Sequence, residues 1–278
     1  MVLLIDRSDY VWTLRVNRPE TRNAVNFALM DALEEQISAA EQDESLRVLV
    51  LTGSDESNAF ISGGDLREFH QIKRADEARE MSLRMIRLLD RIRALPCWTL
   101  AAVNGAAYGG GWEIMLAFDL RIASEEAVFG FTQGKFYLPP GWGGLASLQS
   151  TVGAQRAAFL LASQAILSAP QAHQAGLIHD YYPASDYAQQ LARLTERLAL
   201  NDRTYIRYIK EQLFANANTD ANTNAVPSAK AEPNTKAEPN ANDPASTKAK
   251  SEAEPFSRFW ESEEHMRRVE DFLKKRSG

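Results

Sequence analysis

Three consecutive glycines, set between an apolar segment and the start of a helical pattern, constrain the fold of this chain more than any other feature. Apolar residues 98–103 predict a strand, and Gly109-Gly110-Gly111 separate it from a helical pattern that begins at Ile114. Glycine lets the backbone approach a ligand closely, and the first N–H groups of a helix have no partner inside it. The stretch therefore predicts an oxyanion or phosphate site, with the carboxylate of Glu113 in the first helical turn.

Other roles for this stretch stay open when it is taken alone. A glycine-rich turn also serves tight packing, and a glutamate in a first helical turn also serves as a cap or as a partner of the helix dipole. The spacing excludes both the dinucleotide-binding pattern Gly-x-Gly-x-x-Gly and the Walker pattern that ends in Gly-Lys-Ser/Thr.

The first 120 residues alternate between strands and helices, and they contain a second glycine break between a strand and a helix. Apolar residues 48–51 and 59–62 predict strands, Gly63-Gly64 follow, and helical spacing returns from residue 66 to about residue 95. This alternation predicts an α/β fold with right-handed crossovers. Both glycine breaks follow a strand and precede a helix, which is where ligands collect in α/β sheets. The two breaks could then face each other across one crevice.

We divide the chain into four parts. Residues 1–185 form the α/β core, which opens with a hairpin, and residues 186–214 continue as helices. Residues 215–255 are rich in Asn, Ala, Lys, Glu and Pro with little apolar bulk, so we predict a disordered insertion tolerated as a long loop. Residues 256–278 are amphipathic and predict a helix that docks on the body or on a neighbouring subunit.

The composition narrows the function classes. The formal net charge of −6 argues against a nucleic-acid surface, and no apolar run approaches the roughly 20 residues of a membrane span. Cys97 is the only cysteine, so a reducing cytoplasm is the simplest location. The four histidines are scattered, and their spacing with this cysteine predicts no metal site.

Several stretches together resemble the crotonase (enoyl-CoA hydratase/isomerase) superfamily, over nearly all of the chain except 215–255. These stretches are 17–24, 59–66, 102–113, 129–130, 140–144, 172–176 and 272–276. The resemblance implies an α/β fold, a crotonase-like spiral of ββα units with a helical C-terminal part. It also implies homotrimers or homohexamers and acyl-CoA substrates, with no cofactor other than the coenzyme A that the substrate carries.

The same resemblance assigns roles to individual residues. The backbone N–H groups of Gly64 and Gly110 take the place of the family's oxyanion hole, and Glu113 takes the place of a catalytic acid/base. The residues that would hold the CoA portion are Arg22, Asn23, Ala24, Ser62, Gly63, Asp65 and Leu66. For Asp65 we favour a helix-capping role.

One departure from the family pattern bears on the reaction. Hydratases of this family use two glutamates, and the position of the second is occupied here by Gln133. Hydration needs one group to activate water and another to deliver a proton, and glutamine cannot titrate. Glu113 alone could support a double-bond shift. We therefore predict an acyl-CoA enzyme of the hydratase/isomerase type that works through an enolate. Decarboxylation of a malonyl-type acyl-CoA and non-catalytic acyl-CoA binding are the alternatives.

Overall fold

The computed structural model of the chain describes residues 1–215 and 244–275. The strands are β1 (Leu3–Arg7), β2 (Val11–Val16), β3 (Val48–Gly53), β4 (Ala59–Ile61), β5 (Trp98–Val103), β6 (Ala106–Tyr108), β7 (Leu120–Ser124), β8 (Val128–Gly130), β9 (Ile166–Ser168) and β10 (Asp180–Tyr182). The helices up to residue 174 are α1 (Phe27–Gln42), α2 (Leu66–Phe69), α3 (Ala75–Ala94), α4 (Gly110–Met115), α5 (Gly144–Val152), α6 (Ala154–Ala162) and α7 (Ala169–Gln174). The C-terminal helices are α8 (Ala184–Ala199), α9 (Arg203–Ala215), α10 (Pro244–Trp260) and α11 (Glu263–Lys275).

From β3 to β8, successive strands alternate between two sheets, which produces the predicted spiral. The larger sheet has six strands in the order β1-β2-β3-β5-β7-β10, and the smaller has four in the order β4-β6-β8-β9. The pairs β3–β4 and β5–β6 are each followed by helix, so one ββα turn stacks on the next. From β2 to β10 the larger sheet is parallel, whereas β1 and β2 form the predicted antiparallel hairpin. The α/β crotonase-like prediction is confirmed.

Strand β3 shows why the larger sheet forms at this place in the sequence. All six of its residues are buried, as expected of a parallel strand that is covered on both faces. Leu49 and Leu51 point into the main core, whereas Val48 and Val50 belong to a second cluster that Leu191 and other residues of α8 cover. The continuous run of aliphatic residues in this strand therefore reflects two packed faces.

Two strands of the smaller sheet were not predicted. β6 and β9 are three residues long, which is too short for an alternating pattern to stand out from its surroundings. β6 begins at Ala106, close behind β5, because Gly105 fits where a Cβ atom would lie 2.5 Å from the carbonyl oxygen of Asn58. This close approach turns the chain from one sheet into the other.

The C-terminal part departs from the predicted boundaries. Residues 216–243 of the predicted insertion lie outside the described residues. Helix α10 begins at Pro244 rather than at residue 256, and a break after Trp260 divides the single predicted helix into α10 and α11. Within α10, Ala253 is fully buried and packs with Ile86 of α3, and Phe256 and Trp260 are buried as well. None of the described helices is both long and apolar enough to cross a membrane.

Candidate active site

The two glycine breaks lie side by side at the carboxyl ends of two neighbouring strands of the smaller sheet. β4 and β6 are parallel neighbours, with Ile61 paired to Ala107, and each strand ends in a glycine turn. Gly63 has a φ of +103° and Gly109 a φ of +52°, a region that favours glycine. A Cβ atom placed on Gly63 would lie 3.5 Å from the backbone nitrogen of Gly110. The structure therefore brings the two turns into direct contact.

Each turn presents one backbone N–H group that is free to bind a ligand. Among the described residues, no hydrogen-bond acceptor faces the N–H of Gly64 or that of Gly110. The chain around Gly64 is fixed, because Val25 donates to the carbonyl of Gly63 at 2.8 Å and accepts from Asp65 at 2.7 Å. Gly110 opens helix α4, whose dipole adds positive potential at its N–H. The two groups together can accept a developing oxyanion.

Glu113 lies one helical turn beyond Gly110, and its buried carboxylate accepts hydrogen bonds from the backbone. Oε2 accepts from the backbone N–H groups of Trp142 at 2.8 Å and Gly144 at 3.1 Å. Burial raises the pKa of Glu113 to about 7, although the hydrogen bond from Trp142 opposes this change. A carboxyl group with a pKa near neutrality can both take up and return a proton at physiological pH.

Gln133, which the resemblance places at the position of a second glutamate, contacts Glu113. Its Nε2 donates to Oε1 of Glu113 at 3.2 Å, and its Oε1 accepts from the indole N–H of Trp112 at 3.2 Å. The indole N–H can only donate, which defines the orientation of the amide and turns its NH₂ group toward Glu113. Gln133 therefore supplies a hydrogen-bond donor at the place of a second carboxyl group.

The indole ring of Trp142 covers the glycine turns. A Cβ atom on Gly110 would lie 2.0 Å from Cζ3 of this ring, and one on Gly64 would lie 3.7 Å from Cη2. From α10, Phe256 packs so closely on Gly141 that a Cβ atom there would lie 2.2 Å from its ring. The sequence contains the aromatic residues, but their spacing does not show that they meet over the glycines.

The two predicted CoA loops pair with each other. Arg22 is exposed, and its carbonyl accepts from the backbone N–H of Ser62 at 3.2 Å. Asp65 caps helix α2 by accepting from the N–H of Arg67 at 3.1 Å, and it forms a buried ion pair with Arg18 at 2.8 Å. Its capping role is as predicted. The remaining predicted CoA residues, Ala24, Gly63 and Leu66, lie on the same two segments, and their contact with CoA stays a prediction.

The side chain of Asn23 faces the protein interior. Its Oδ1 accepts from the backbone N–H of Arg18 at 2.9 Å and from Ser54 Oγ at 3.3 Å. Its Nδ2 donates to Ser57 Oγ and to the carbonyl of Ala59, both at 2.7 Å. This side chain thus shapes the loop, which leaves only the main chain at this position for a CoA contact.

Replacing Asn23 with alanine is expected to lower the free energy of unfolding by about 2–4 kcal/mol, because several buried polar groups lose their partners. Urea unfolding followed by circular dichroism measures the change. The matched variant Arg22→Ala removes an exposed side chain, so its stability should stay within about 0.5 kcal/mol of the wild type. An unchanged urea midpoint for Asn23→Ala would contradict the structural role.

Comparisons with known proteins identify the family of the chain. The sequence model of the family described as Enoyl-CoA hydratase/isomerase matches residues 6–261. The chain belongs to the enoyl-CoA hydratase/isomerase family. It is 37% identical over 193 residues to the 2,3-dehydroadipyl-CoA hydratase of Escherichia coli strain K12, an overlap that covers 68% of this chain and 74% of that protein.

Solved structures of the hydratase/isomerase family share the fold. An enoyl-CoA hydratase from Bacillus anthracis superposes with a TM-score of 0.73 at 30% identity, covering 76% of this chain and 81% of that one. An enoyl-CoA hydratase from Bacillus halodurans reaches a TM-score of 0.82 over 98% of this chain and 100% of that one. At 21% identity, the second likeness concerns the fold alone.

Proposed function

We propose that this protein is an acyl-CoA enzyme of the enoyl-CoA hydratase/isomerase type that works through a thioester enolate. The observation that carries the proposal is the contact between the two glycine turns, with the N–H groups of Gly64 and Gly110 free of other acceptors and the carboxyl group of Glu113 one turn away. Donors of this kind stabilise charge that develops in the transition state.

The proposed reaction uses these three groups in sequence. Glu113 removes a proton from the saturated carbon next to the thioester carbonyl, and the electron pair moves onto the thioester oxygen. The N–H groups of Gly64 and Gly110 stabilise the resulting oxyanion, each by about 3–4 kcal/mol. Glu113 then returns the proton to another carbon of the same conjugated system, which shifts the double bond. No further cofactor takes part, because the CoA portion arrives with the substrate.

Gln133 favours reactions that need a single acid/base. Its NH₂ group donates to Glu113 and cannot lose a proton to activate water. Loss of carbon dioxide from a malonyl-type acyl-CoA forms the same enolate without a base, since the electrons of the broken C–C bond move onto the thioester oxygen. The presence of Gln133 in place of a second carboxyl group therefore supports decarboxylation as the second candidate function.

Replacing Gln133 with glutamate is expected to raise the rate of water addition to a short trans-2-enoyl-CoA by about 10²-fold or more, because the site gains a second titratable group. Trp112 can still donate to the new carboxylate. Ultraviolet absorbance of the conjugated enoyl thioester measures the reaction. The variant Lys135→Gln, in the same short helical turn, is the control. An unchanged hydration rate would show that Gln133 does not limit this reaction.

The proposed function is tested by mass spectrometry of products from a trans-2-enoyl-CoA, a trans-3-enoyl-CoA and methylmalonyl-CoA. Movement of the double bond or a gain of water supports the hydratase/isomerase assignment. Loss of carbon dioxide favours the second candidate. CoA binding without any turnover would contradict both and favour a binding role.

We also propose that the protein assembles as a homotrimer or homohexamer. Helix α9 exposes the large apolar side chains of Tyr205, Tyr208 and Leu213, which offer a surface for a second copy. Sedimentation velocity measures the assembly, and a monomer at micromolar concentration would contradict this proposal.

A further inference from the structure

Glu252 extends from α10 to the first turn of α5. Its Oε1 accepts from the backbone N–H of Ala146 at 2.8 Å, and its Oε2 accepts from that of Leu145 at 3.3 Å. The next residue, Ala253, is fully buried, so the packing of α10 holds this carboxylate in place. Glu252 therefore binds N–H groups at the start of α5 that have no partner inside their own helix.

The same helix start also holds Glu113. The N–H of Gly144 donates to Glu113 at 3.1 Å, and the next two N–H groups along the chain, those of Leu145 and Ala146, donate to Glu252. Two carboxyl groups from distant parts of the chain thus bind three consecutive backbone donors. Their negative charges repel each other, and the burial of Glu113 limits the screening of this repulsion by water.

The surroundings of Glu113 and Glu252 couple the protonation of one carboxyl group to that of the other. Burial raises the pKa of Glu252 to about 7, and the negative charge of Glu252 adds to burial in raising the pKa of Glu113. Arg93, on α3, is the cation that opposes this effect at Glu252. Helix α5 contributes no titratable side chain. Glu252 is thus a charged group that acts directly on Glu113.

We propose that Glu252 is a positioning residue for Glu113: as a second carboxylate at the start of α5, it sets the pH range in which Glu113 acts as a base. The inference rests on the proposed function, in which Glu113 moves a proton. It assigns to α10 a part in the reaction that the family's two glutamate positions do not cover. Docking of α10 on α5 thus sets the pH at which Glu113 becomes available as a base.

The first test is the pH dependence of kcat/KM for double-bond isomerisation of a short enoyl-CoA by the wild type and by Glu252→Gln. Removing the negative charge should move the acidic limb of the profile to lower pH by roughly one pH unit, because the carboxylate form of Glu113 becomes easier to form. Glutamine keeps one acceptor oxygen for the N–H groups of α5. The control is Glu254→Gln, an exposed residue of the same helix, whose profile should match that of the wild type.

The second test measures the coupling without turnover. Urea unfolding of the wild type, Glu113→Gln, Glu252→Gln and the double variant gives a double-mutant cycle at pH 8 and at pH 5. At pH 8, either single change relieves the repulsion, so the double variant should gain less stability than the sum of the two. At pH 5, where both groups hold protons, the coupling should vanish.

The outcomes separate the inference from the proposed function. A shifted acidic limb together with coupling at pH 8 supports the role of Glu252. A lower melting temperature with an unshifted profile and no coupling would show that Glu252 is only a helix cap, and the inference would be wrong while the function stands. A wild type without turnover would overturn the proposed function, and the unfolding cycle would still decide whether Glu252 acts on Glu113.

Discussion

Replacing Glu113 with glutamine is expected to lower kcat for double-bond isomerisation by about 10³–10⁴-fold while the affinity for CoA stays unchanged. Glutamine has the size of glutamate, and its Oε1 can still accept from the N–H groups of Trp142 and Gly144, so the shape of the site is kept. What is lost is the ability to take up and return a proton. Kinetics with an enoyl-CoA and calorimetric titration with CoA measure the two effects separately.

The pH dependence of stability shows whether the Glu113→Gln protein is properly folded. The pKa of Glu113 is raised from 4.5 to about 7, so the folded protein binds this proton more tightly than the unfolded chain does. Stability therefore falls as the pH rises through this window, and the full cost of the buried carboxylate is present above it. The glutamine variant should be more stable than the wild type at pH 8, on the order of 2–3 kcal/mol, and about equal at pH 4.

Control variants and substrates make the result decisive. Glu125→Gln changes an exposed glutamate in the turn between β7 and β8 and should leave kcat unchanged. Full isomerisation activity in Glu113→Gln would rule out the acid/base role. If the variant instead loses isomerisation but still decarboxylates methylmalonyl-CoA, the protein uses Glu113 for proton transfer and the oxyanion site alone for loss of carbon dioxide.

The sequence predicted the parts of the fold that local pattern determines. β3 and β5 are long apolar runs and α1 has helical spacing with Asn26 as its cap, which the hydrogen bond from Leu29 confirms at 3.0 Å. β6 and β9 are too short to carry a period of their own, and they exist because they pair with neighbouring strands. Helix α10 likewise packs on α3 and α5, which lie far away in the sequence.

The candidate site was likewise predictable from the sequence only in part. The glycine breaks were expected to meet because each ends a strand, and β4 and β6 do place them in contact. The resemblance assigned Gln133 to the position of a second glutamate, and the structure adds that its amide contacts Glu113. Trp142 and Glu252 belong to segments whose positions are set by tertiary packing, so no local pattern showed that Trp142 covers the glycine turns or that Glu252 reaches α5.

Replacing Gly110 with alanine is expected to lower kcat by about 10²–10³-fold, the cost of losing one oxyanion donor. The new Cβ atom would lie 2.0 Å from Cζ3 and 2.5 Å from Cε3 of Trp142, so either the indole ring or the start of α4 must move. Moving Trp142 also disturbs its backbone N–H, which donates to Glu113 at 2.8 Å. The substitution therefore affects the oxyanion donor and the base together.

A double-mutant cycle with Trp142→Ala separates crowding from the loss of the donor. If crowding by the ring displaces the N–H of Gly110, adding Gly110→Ala to the Trp142→Ala protein should cost much less than about 10²-fold, because the new methyl group then has room. If the cost is the same in both backgrounds, the geometry of the glycine turn itself is required at this position. Full activity of Gly110→Ala in the wild-type background would contradict the placement of the oxyanion at this N–H, since the ring and the methyl group cannot both occupy their present positions.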